Sequence, residues 1–231
     1  MKKAICLISG GLDSSVTGYI AKKQGYEIYA ITFNYGQRHK KEIESAKKIA
    51  KSLKVKKHLL FNIDFEKIGG SSLVEKDLDV EINHDIKDIG KKIPSTYVPA
   101  RNTIFLSIAL AYAESVDADS IFIGVNSVDY SAYPDCRPEF IKTFEKLANI
   151  ATKKGVKGKK IKIKTPLLYM SKSEIIKKGF QLKVPFEKTW SCYIGEEKAC
   201  GRCESCILRL KGFKDAKKKD PLEYENVPTW V

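Results

Sequence analysis

The segment SGGLDSS, residues 9–15, directly follows a short apolar run, AICLI, at residues 4–8. We predict that this run is a buried parallel strand and that a helix follows at residues 14–23. The adjacent glycines Gly10 and Gly11 allow a tight turn and a close approach of the backbone to a ligand. Backbone N–H groups at the start of the helix would face an anion, which the helix dipole also favours. The segment therefore predicts a phosphate-binding loop at the end of the first strand.

The side chains of this loop suit a nucleotide phosphate. The hydroxyls of Ser9, Ser14 and Ser15 can donate to phosphate oxygens, and Asp13 can bind Mg²⁺ on the phosphate or cap the helix. The loop lacks the lysine of a Walker A motif, and the chain has no G-x-G-x-x-G dinucleotide fingerprint. On spacing alone, an ordinary strand-to-helix turn with a serine cap explains the same residues.

Apolar strands alternate with amphipathic helices along most of the chain. We predict strands at residues 27–35, 58–63, 120–126 and 161–165, and helices at residues 41–53, 102–118, 138–153 and 171–178. Such alternation is typical of a doubly wound α/β domain with a mainly parallel sheet, in which ligands bind beyond the carboxyl ends of the strands. We place this domain at residues 1–188, with a loop or insertion at residues 69–95, and a metal-binding segment packed on it at residues 189–231.

The composition indicates a soluble globular protein. Of 231 residues, 43% are hydrophobic and 30% charged, and no apolar run approaches the ~18 residues of a membrane span. The first apolar run is shorter than the roughly 7–15 residues of a secretory signal, so we expect a cytoplasmic protein. The net charge of +14 favours anionic partners or simply reflects lysines spread over the surface.

Four cysteines lie close together near the end of the chain, in the pattern Cys192-x₇-Cys200-x₂-Cys203-x₂-Cys206. A cytoplasmic location argues against disulfides. Four thiolates at this spacing suit a closed tetrahedral Zn²⁺ site, although an iron–sulfur cluster or a redox pair would use the same residue type. We favour a structural zinc ion. Cys6 lies in the first strand and is interpreted as a core residue.

Several segments resemble one known family. The pattern SGG-x-DSS after a first strand resembles the PP-loop of ATP pyrophosphatases, which cleave ATP to AMP and pyrophosphate and leave AMP on an activated oxygen. Further segments are similar to the QueC family of 7-cyano-7-deazaguanine synthases: FNYGQRH (33–39), residues 97–114 and 124–140, TWSCY (189–193) and CGRCESC (200–206). These blocks fall in order and cover nearly the whole chain. The resemblance implies an adenine nucleotide α-hydrolase-like fold of the PP-loop type.

The resemblance also implies a reaction. That family converts 7-carboxy-7-deazaguanine and ammonia into the nitrile with ATP, and its product feeds queuosine or archaeosine in tRNA. ATP with Mg²⁺ and one structural Zn²⁺ are then expected, with no direct nucleic-acid partner, no membrane partner and a homodimeric assembly. The resemblance assigns ATP binding to Ile8, Ser9, Gly10, Gly11, Leu12, Asp13, Ser14 and Ser15, with Ser9, Asp13 and Ser14 as catalytic residues.

Charged residues in two loops are candidates for contacts with the deazapurine acid. A carboxylate can accept two N–H groups of a guanine edge, and we predict Asp135 in that role, with Asp129 as second candidate. Asp135 could instead cap the helix at residues 138–153 or form an Asx turn. Arg101 and Arg137 could bind the substrate carboxylate or the ATP phosphates, or form surface ion pairs.

Other candidates follow the ends of predicted strands, where ligand contacts are expected. Tyr35 could stack on the flat ring or pack in the core, and Arg38 follows in the same turn. Asn126 ends the strand at 120–126 and faces the same crevice. His39 could move a proton, and Cys136 lies in the same loop as Asp135, although a reactive thiol would need a lowered pKa.

Two rival functions use some of the same features. A tRNA thiolase, or another PP-loop amide ligase, would share the fold, but a thiolase needs cysteines that carry sulfur. A zinc-ribbon nucleic-acid binder would use the basic charge and the C-x-x-C pairs, but it leaves the SGGLDSS segment unexplained.

Overall fold

The computed structural model describes residues 1–38, 41–83, 89, 91–128 and 133–231. Within this part of the chain, five strands form one sheet in the order β3-β2-β1-β4-β5, and all neighbouring strands are parallel. The strands are β1 Lys3–Leu7, β2 Glu27–Asn34, β3 Lys57–Asn62, β4 Ser120–Phe122 and β5 Lys162–Lys164. From β1 the chain proceeds outward to β3 and then returns to the other side of β1. The carboxyl ends of β1 and β4 therefore flank the topological switch point, where doubly wound sheets bind ligands.

Helices cover both faces of this sheet. They are α1 Leu12–Lys23, α2 Lys41–Leu53, α3 Arg101–Ser115, α4 Pro138–Ile150, α5 Lys153–Val156, α6 Lys172–Gln181 and α7 Glu204–Asp215. None of the helices in the described ranges is long and apolar enough to cross a membrane. The predicted doubly wound α/β fold is confirmed, and α2 has the predicted bounds.

Alternate residues of β1 are buried on opposite faces of the sheet. Ile5 and Leu7 belong to a cluster with the apolar sides of α3 and α4, whereas Ala4 and Cys6 pack in a second cluster with α2. Burial on both faces explains why this strand is a continuous apolar run rather than an alternating one. Cys6 is fully buried, as predicted for a core residue.

Some predicted element ends are wrong. The strand expected at residues 120–126 ends at Phe122. Beyond it, Gly124 passes close to the first turn of α1, where a β-carbon would lie 3.0 Å from the backbone of Asp13. The helix expected at residues 102–118 ends at Ser115, and Asp117 then adopts a left-handed backbone conformation with φ of 55°.

The C-terminal segment contains a helix, α7, that the sequence interpretation did not predict. Phe213 of α7 packs in one cluster with Val16 of α1 and Ile176 of α6. Cysteines and lysines interrupt the spacing of the apolar residues in α7, so the hydrophobic pattern did not predict a helix there. The segment therefore lies directly on the α/β layers, while the proposed boundary between residues 188 and 189 stays a prediction.

The described part of residues 69–95 consists mainly of turns. Leu73 and Val74 are nevertheless buried in the main cluster. Arg38 reaches this segment, since its Nε donates to the carbonyl oxygen of Ser72 at 2.7 Å and its Nη2 to that of Glu75 at 2.8 Å. The guanidinium thus fixes this segment beside the sheet.

Candidate active site

The phosphate-binding loop connects β1 to α1 through a network of short hydrogen bonds. The Oγ atoms of Ser9 and Ser14 lie 3.0 Å apart, and the backbone N–H of Gly11 donates to Ser9 Oγ at 3.2 Å. The hydroxyl of Ser15 is buried and donates to the carbonyl oxygen of Gly11 at 2.7 Å. The side chains of Ser9 and Ser14 therefore line the cavity, whereas the buried hydroxyl of Ser15 stabilises the loop by its bond to Gly11.

Gly10 lies where the loop contacts α2, and it has a left-handed φ of 88°. An added β-carbon would come within 2.6 Å of the backbone nitrogen of Ala46 and would also meet the carbonyl oxygen of Glu42. Backbone atoms cannot move aside as the end of a flexible side chain can. Glycine at this position therefore lets the loop pack directly on α2.

Gly25→Ala provides a matched control for Gly10→Ala. Gly25 has a similar φ of 80°, but nothing lies within 4 Å of the position that an added β-carbon would take. We expect Gly25→Ala to lower the free energy of unfolding by about 1–2 kcal/mol through backbone strain alone. Gly10→Ala should lower the free energy of unfolding by about 1–3 kcal/mol more than Gly25→Ala does, because its β-carbon overlaps backbone atoms of α2. Urea denaturation followed by circular dichroism measures both, and equal losses would contradict this packing.

Asp13 in the first turn of α1 is paired with Lys172, the first residue of α6. Lys172 Nζ lies 3.0 and 2.8 Å from the two carboxylate oxygens, and its side chain is only 8% exposed. The spacing of Ser171 and Glu174 in SKSE (residues 171–174) predicts a capping box. The structure confirms it, and it fixes the start of α6. The pair places one cation and one anion beside the loop, which suits a phosphate with a bound Mg²⁺ ion.

A cavity of about 230 Å³ opens at the carboxyl ends of the strands. Six of the eight residues predicted to bind ATP line it, and so do three predicted substrate contacts, Tyr35, Arg101 and Asn126. The residues of the ATP-binding group on its wall are Ile8, Ser9, Gly11, Leu12, Asp13 and Ser14. The structure thus brings most of the predicted site together at the switch point of the sheet.

Tyr35 and Arg101 form one wall of this cavity. Arg101 Nη1 donates to the hydroxyl of Tyr35 at 3.4 Å, and the guanidinium lies 5.7 Å from the centre of the ring. Burial raises the pKa of Tyr35 to about 12, so that its hydroxyl stays neutral. The same ring packs on Phe65 and Phe105, and both predicted roles of Tyr35, a ligand wall and a core contact, are therefore compatible with its position.

Asn126 is buried at the edge of the cavity, and both ends of its amide contact backbone atoms. Its Nδ2 donates to the carbonyl oxygen of Met170, and its Oδ1 accepts from the N–H of Val128 at 2.7 Å. These bonds connect the end of β4 to the segment before α6. Asn126 therefore helps to hold Lys172 in place, besides lining the cavity.

Three predicted substrate contacts are not among the residues that line the cavity. Arg38 donates to the carbonyl oxygens described above, and Arg137 is exposed, with its Nε 3.2 Å from the carbonyl oxygen of Pro134. Asp135 is buried and accepts from the backbone N–H of Asn102 at 2.9 Å, so it caps α3 rather than the helix that follows it in sequence. Contact of these residues with substrate stays a prediction. His39 and Asp129 lie outside the described residues.

The structure adds Glu42, in the first turn of α2, to the cavity wall. Burial raises the pKa of Glu42 to about 7, although the nearby positive charge of Arg101 opposes the shift. The sequence interpretation missed both Glu42 and Lys172. The rule that ligands bind at the carboxyl ends of strands points to this part of the chain, because α2 and α6 also begin there, but it does not single out these two residues.

The four clustered cysteines converge on one buried point. Their Sγ atoms all lie within 4.8 Å of one another, and those of Cys200 and Cys206 are 3.9 Å apart. Tetrahedral bonds of about 2.3 Å from sulfur to a zinc ion would place the sulfurs about 3.8 Å apart. Backbone N–H groups of Gly195 and Cys200 donate to Cys192 Sγ at 3.0 and 3.2 Å, which favours its thiolate. The cluster is therefore able to bind a metal ion.

The other two thiols lie apart from this cluster and are protonated. Cys136 lines the cavity, where burial raises the pKa of its thiol to about 12 and Asn102 Nδ2 lies 3.5 Å from its Sγ. Burial also raises the pKa of Cys6. Neither thiol has the lowered pKa of a reactive cysteine.

Residues beside the cluster extend to the cavity. The backbone N–H of Trp190 donates to the carbonyl oxygen of Gly10 at 2.9 Å, and its indole N–H donates to that of Cys192 at 3.1 Å. Several neighbours of the clustered cysteines line the cavity as well: Trp190, Ser191, Tyr193 and Ser205. The cluster thus supports one wall of the site.

A family model and several known proteins that match this chain point to the same family. The family model described as "Queuosine biosynthesis protein QueC" matches residues 3–217. A 7-cyano-7-deazaguanine synthase of Thermoplasma acidophilum is 52% identical over 99% of this chain and 94% of its own length. Enzymes of the same name from Citrifermentans bemidjiense and Acetivibrio thermocellus are each 54% identical, over 98% and 97% of this chain and 99% and 98% of their own lengths.

Proposed function

The chain belongs to the QueC family, and from this premise we propose that it is an ATP-dependent ligase that makes 7-cyano-7-deazaguanine. Its substrates would be 7-carboxy-7-deazaguanine, ammonia and ATP. The observation that carries the proposal is that one cavity contains both the phosphate-binding loop and the wall of Tyr35 and Arg101. A nucleotide and a planar acid could meet there.

The chemistry requires that the substrate carboxylate be activated, because an anionic carboxylate resists attack by ammonia and oxide is a poor leaving group. Transfer of AMP to a carboxylate oxygen supplies a good leaving group, and ammonia then forms the amide. A second transfer of AMP, to the amide oxygen, lets AMP leave again and gives the nitrile. No covalent bond to the enzyme is needed.

The loop residues have defined tasks in this proposal. The N–H groups at the start of α1, with the hydroxyls of Ser9 and Ser14, would stabilise the charge that develops on the departing pyrophosphate. Asp13 would hold Mg²⁺, which screens the phosphate charges, and Lys172 beside it would contact a phosphate oxygen directly. Arg101 would orient the substrate carboxylate against the α-phosphate.

We infer that the metal bound by the four cysteines is Zn²⁺ and that its role is structural. Four sulfur ligands leave no open position for a substrate, as in closed structural zinc sites. A tRNA thiolase would need a further reactive cysteine, and Cys6 and Cys136 are both protonated and lie apart from the cluster. This favours the ligase over the thiolase.

A direct assay tests the proposed function. Metal-loaded protein is mixed with ATP, Mg²⁺, ammonium and 7-carboxy-7-deazaguanine, and the products are analysed by mass spectrometry. We expect AMP, pyrophosphate and 7-cyano-7-deazaguanine, each dependent on the acid. Folded, metal-loaded protein that forms no nitrile would overturn the proposal. The cytoplasmic location, the homodimer and the absence of a direct nucleic-acid partner stay predictions.

A further inference from the structure

The amide-forming step needs neutral ammonia, whereas ammonium is the main form near neutral pH. An ammonium ion has no lone pair and cannot attack a carbonyl carbon. If the proposed function is right, the site therefore needs a group that attracts ammonium next to the adenylated acid and accepts a proton from it. Such a group should be an anion that faces the cavity and is not already neutralised by a cation.

Among the described residues that line the cavity, two carry a carboxyl group, Asp13 and Glu42. Asp13 is held by both of its oxygens against Lys172. The carboxylate of Glu42 accepts no hydrogen bond and has no ion pair within 4 Å from any described residue, although Arg101 and Tyr35 are near enough to interact with its charge. Glu42 thus faces the residues that would hold the substrate acid.

The backbone around Glu42 fixes its position relative to the loop. The carbonyl oxygen of Glu42 packs against Gly10, so the first turn of α2 lies in direct contact with the phosphate-binding loop. Trp190 lies next to both elements. The centre of its ring is 4.0 Å from Lys41 Nζ, and its backbone N–H donates to the carbonyl oxygen of Gly10. These contacts place the backbone of Glu42 beside the loop that would bind the phosphates of ATP.

We propose that the carboxylate of Glu42 binds the ammonium co-substrate and accepts a proton from it. Ammonium would donate an N–H hydrogen bond to a carboxylate oxygen of Glu42 and transfer that proton to it. The pKa of Glu42, raised to about 7 by burial, makes the carboxylate a better proton acceptor than an ordinary glutamate. Tyr35 and Cys136, the neighbouring candidates, are protonated already.

Atoms and electrons balance in this step. The lone pair of ammonia forms the C–N bond to the carbonyl carbon, and the C–O bond to AMP breaks with its electron pair on the departing phosphate oxygen. The nitrogen loses a second proton to solvent or to the phosphate, which leaves the amide. One ammonium and one acyl-adenylate thus give one amide, one AMP and two protons, the first of them on Glu42.

Glu42→Gln tests this role, since it removes the negative charge with little change of shape. Exchange of labelled pyrophosphate into ATP, dependent on the acid, reports adenylation alone and should stay within a few-fold of the natural enzyme. Ammonium-dependent amide and nitrile formation should fall roughly 100-fold or more, with a raised KM for ammonium and an unchanged KM for ATP. Hydroxylamine, which is largely neutral at pH 7, should still yield the hydroxamate.

Glu44→Gln, an exposed residue of the same first turn, is the matched control and should behave as the natural enzyme in all three assays. Equal loss of exchange and of amide formation in Glu42→Gln would overturn the proposal, because Glu42 would then serve adenylation. Unchanged ammonium kinetics would overturn it as well. Glu42→Asp, which keeps the charge, should recover part of the activity. This variant thereby distinguishes the loss of the charge from a folding defect. Absence of both exchange and nitrile in the natural enzyme would instead refute the proposed function.

Discussion

Asp13→Asn should slow the formation of AMP and nitrile roughly 100- to 1000-fold, the range seen when one preorganised electrostatic group is removed from an active site. The carboxylate would hold Mg²⁺ and also faces the buried ammonium group of Lys172 at 2.8 Å. Asparagine keeps the shape but loses the charge that both cations need. Turnover is measured by mass spectrometry, and metal content and melting temperature are recorded for the same protein.

Two variants separate the catalytic effect from instability. Asp215→Asn removes another aspartate paired with a lysine, but on the surface of α7, and should leave turnover unchanged. The double variant Asp13→Asn with Lys172→Met leaves neither charge unpaired and should regain much of the stability lost in the single variant. It should remain inactive, and recovery of turnover along with stability would show that Asp13 acts only as a structural partner.

Cys203→Ser should lose the bound metal and much of the soluble yield. Structural zinc sites contribute strongly to folding, and the site here connects Cys192 of the segment before α7 to Cys206 within α7. We expect the melting temperature to fall by roughly 10 °C or more, which for a chain of this length corresponds to several kcal/mol. Metal analysis and differential scanning calorimetry measure the two effects.

Cys136→Ser is the control for this variant, because Cys136 lies outside the cluster and should keep the metal content of the natural protein. Trp190 connects the cluster to Gly10, so the loss of metal in Cys203→Ser should also quench or shift tryptophan fluorescence. Normal metal content and stability together with zero activity would contradict a structural role and would point to a chemical role for the thiolate.

Local features of the chain were predicted well because the physics behind them is local. Two glycines between an apolar strand and a helix are enough to predict the tight turn at residues 9–15, and short spacing is enough to bring four cysteines together. The capping box at Ser171 is likewise complete within four residues. Each of these features needs no information about distant parts of the chain.

Long-range partners were not predictable in the same way. Asp13 and Lys172 are 159 residues apart, and only the return of the chain to the far side of β1 brings them together. Asp135 caps α3, an earlier helix, whereas local spacing suggested the helix that follows it. In the sequence, Glu42 cannot be told apart from an ordinary surface residue of an amphipathic helix. Its place in the cavity depends on how α2 packs on Gly10.

An isotope experiment tests most directly whether AMP is transferred to the oxygens of the substrate. The acid is prepared with ¹⁸O in both carboxylate positions and converted with ATP and ammonium, and the phosphate-containing products are analysed by mass spectrometry. We expect two AMP per nitrile, each with one ¹⁸O in its phosphate, and unlabelled pyrophosphate. Label in inorganic phosphate, together with ADP as the nucleotide product, would contradict the proposed transfer of AMP.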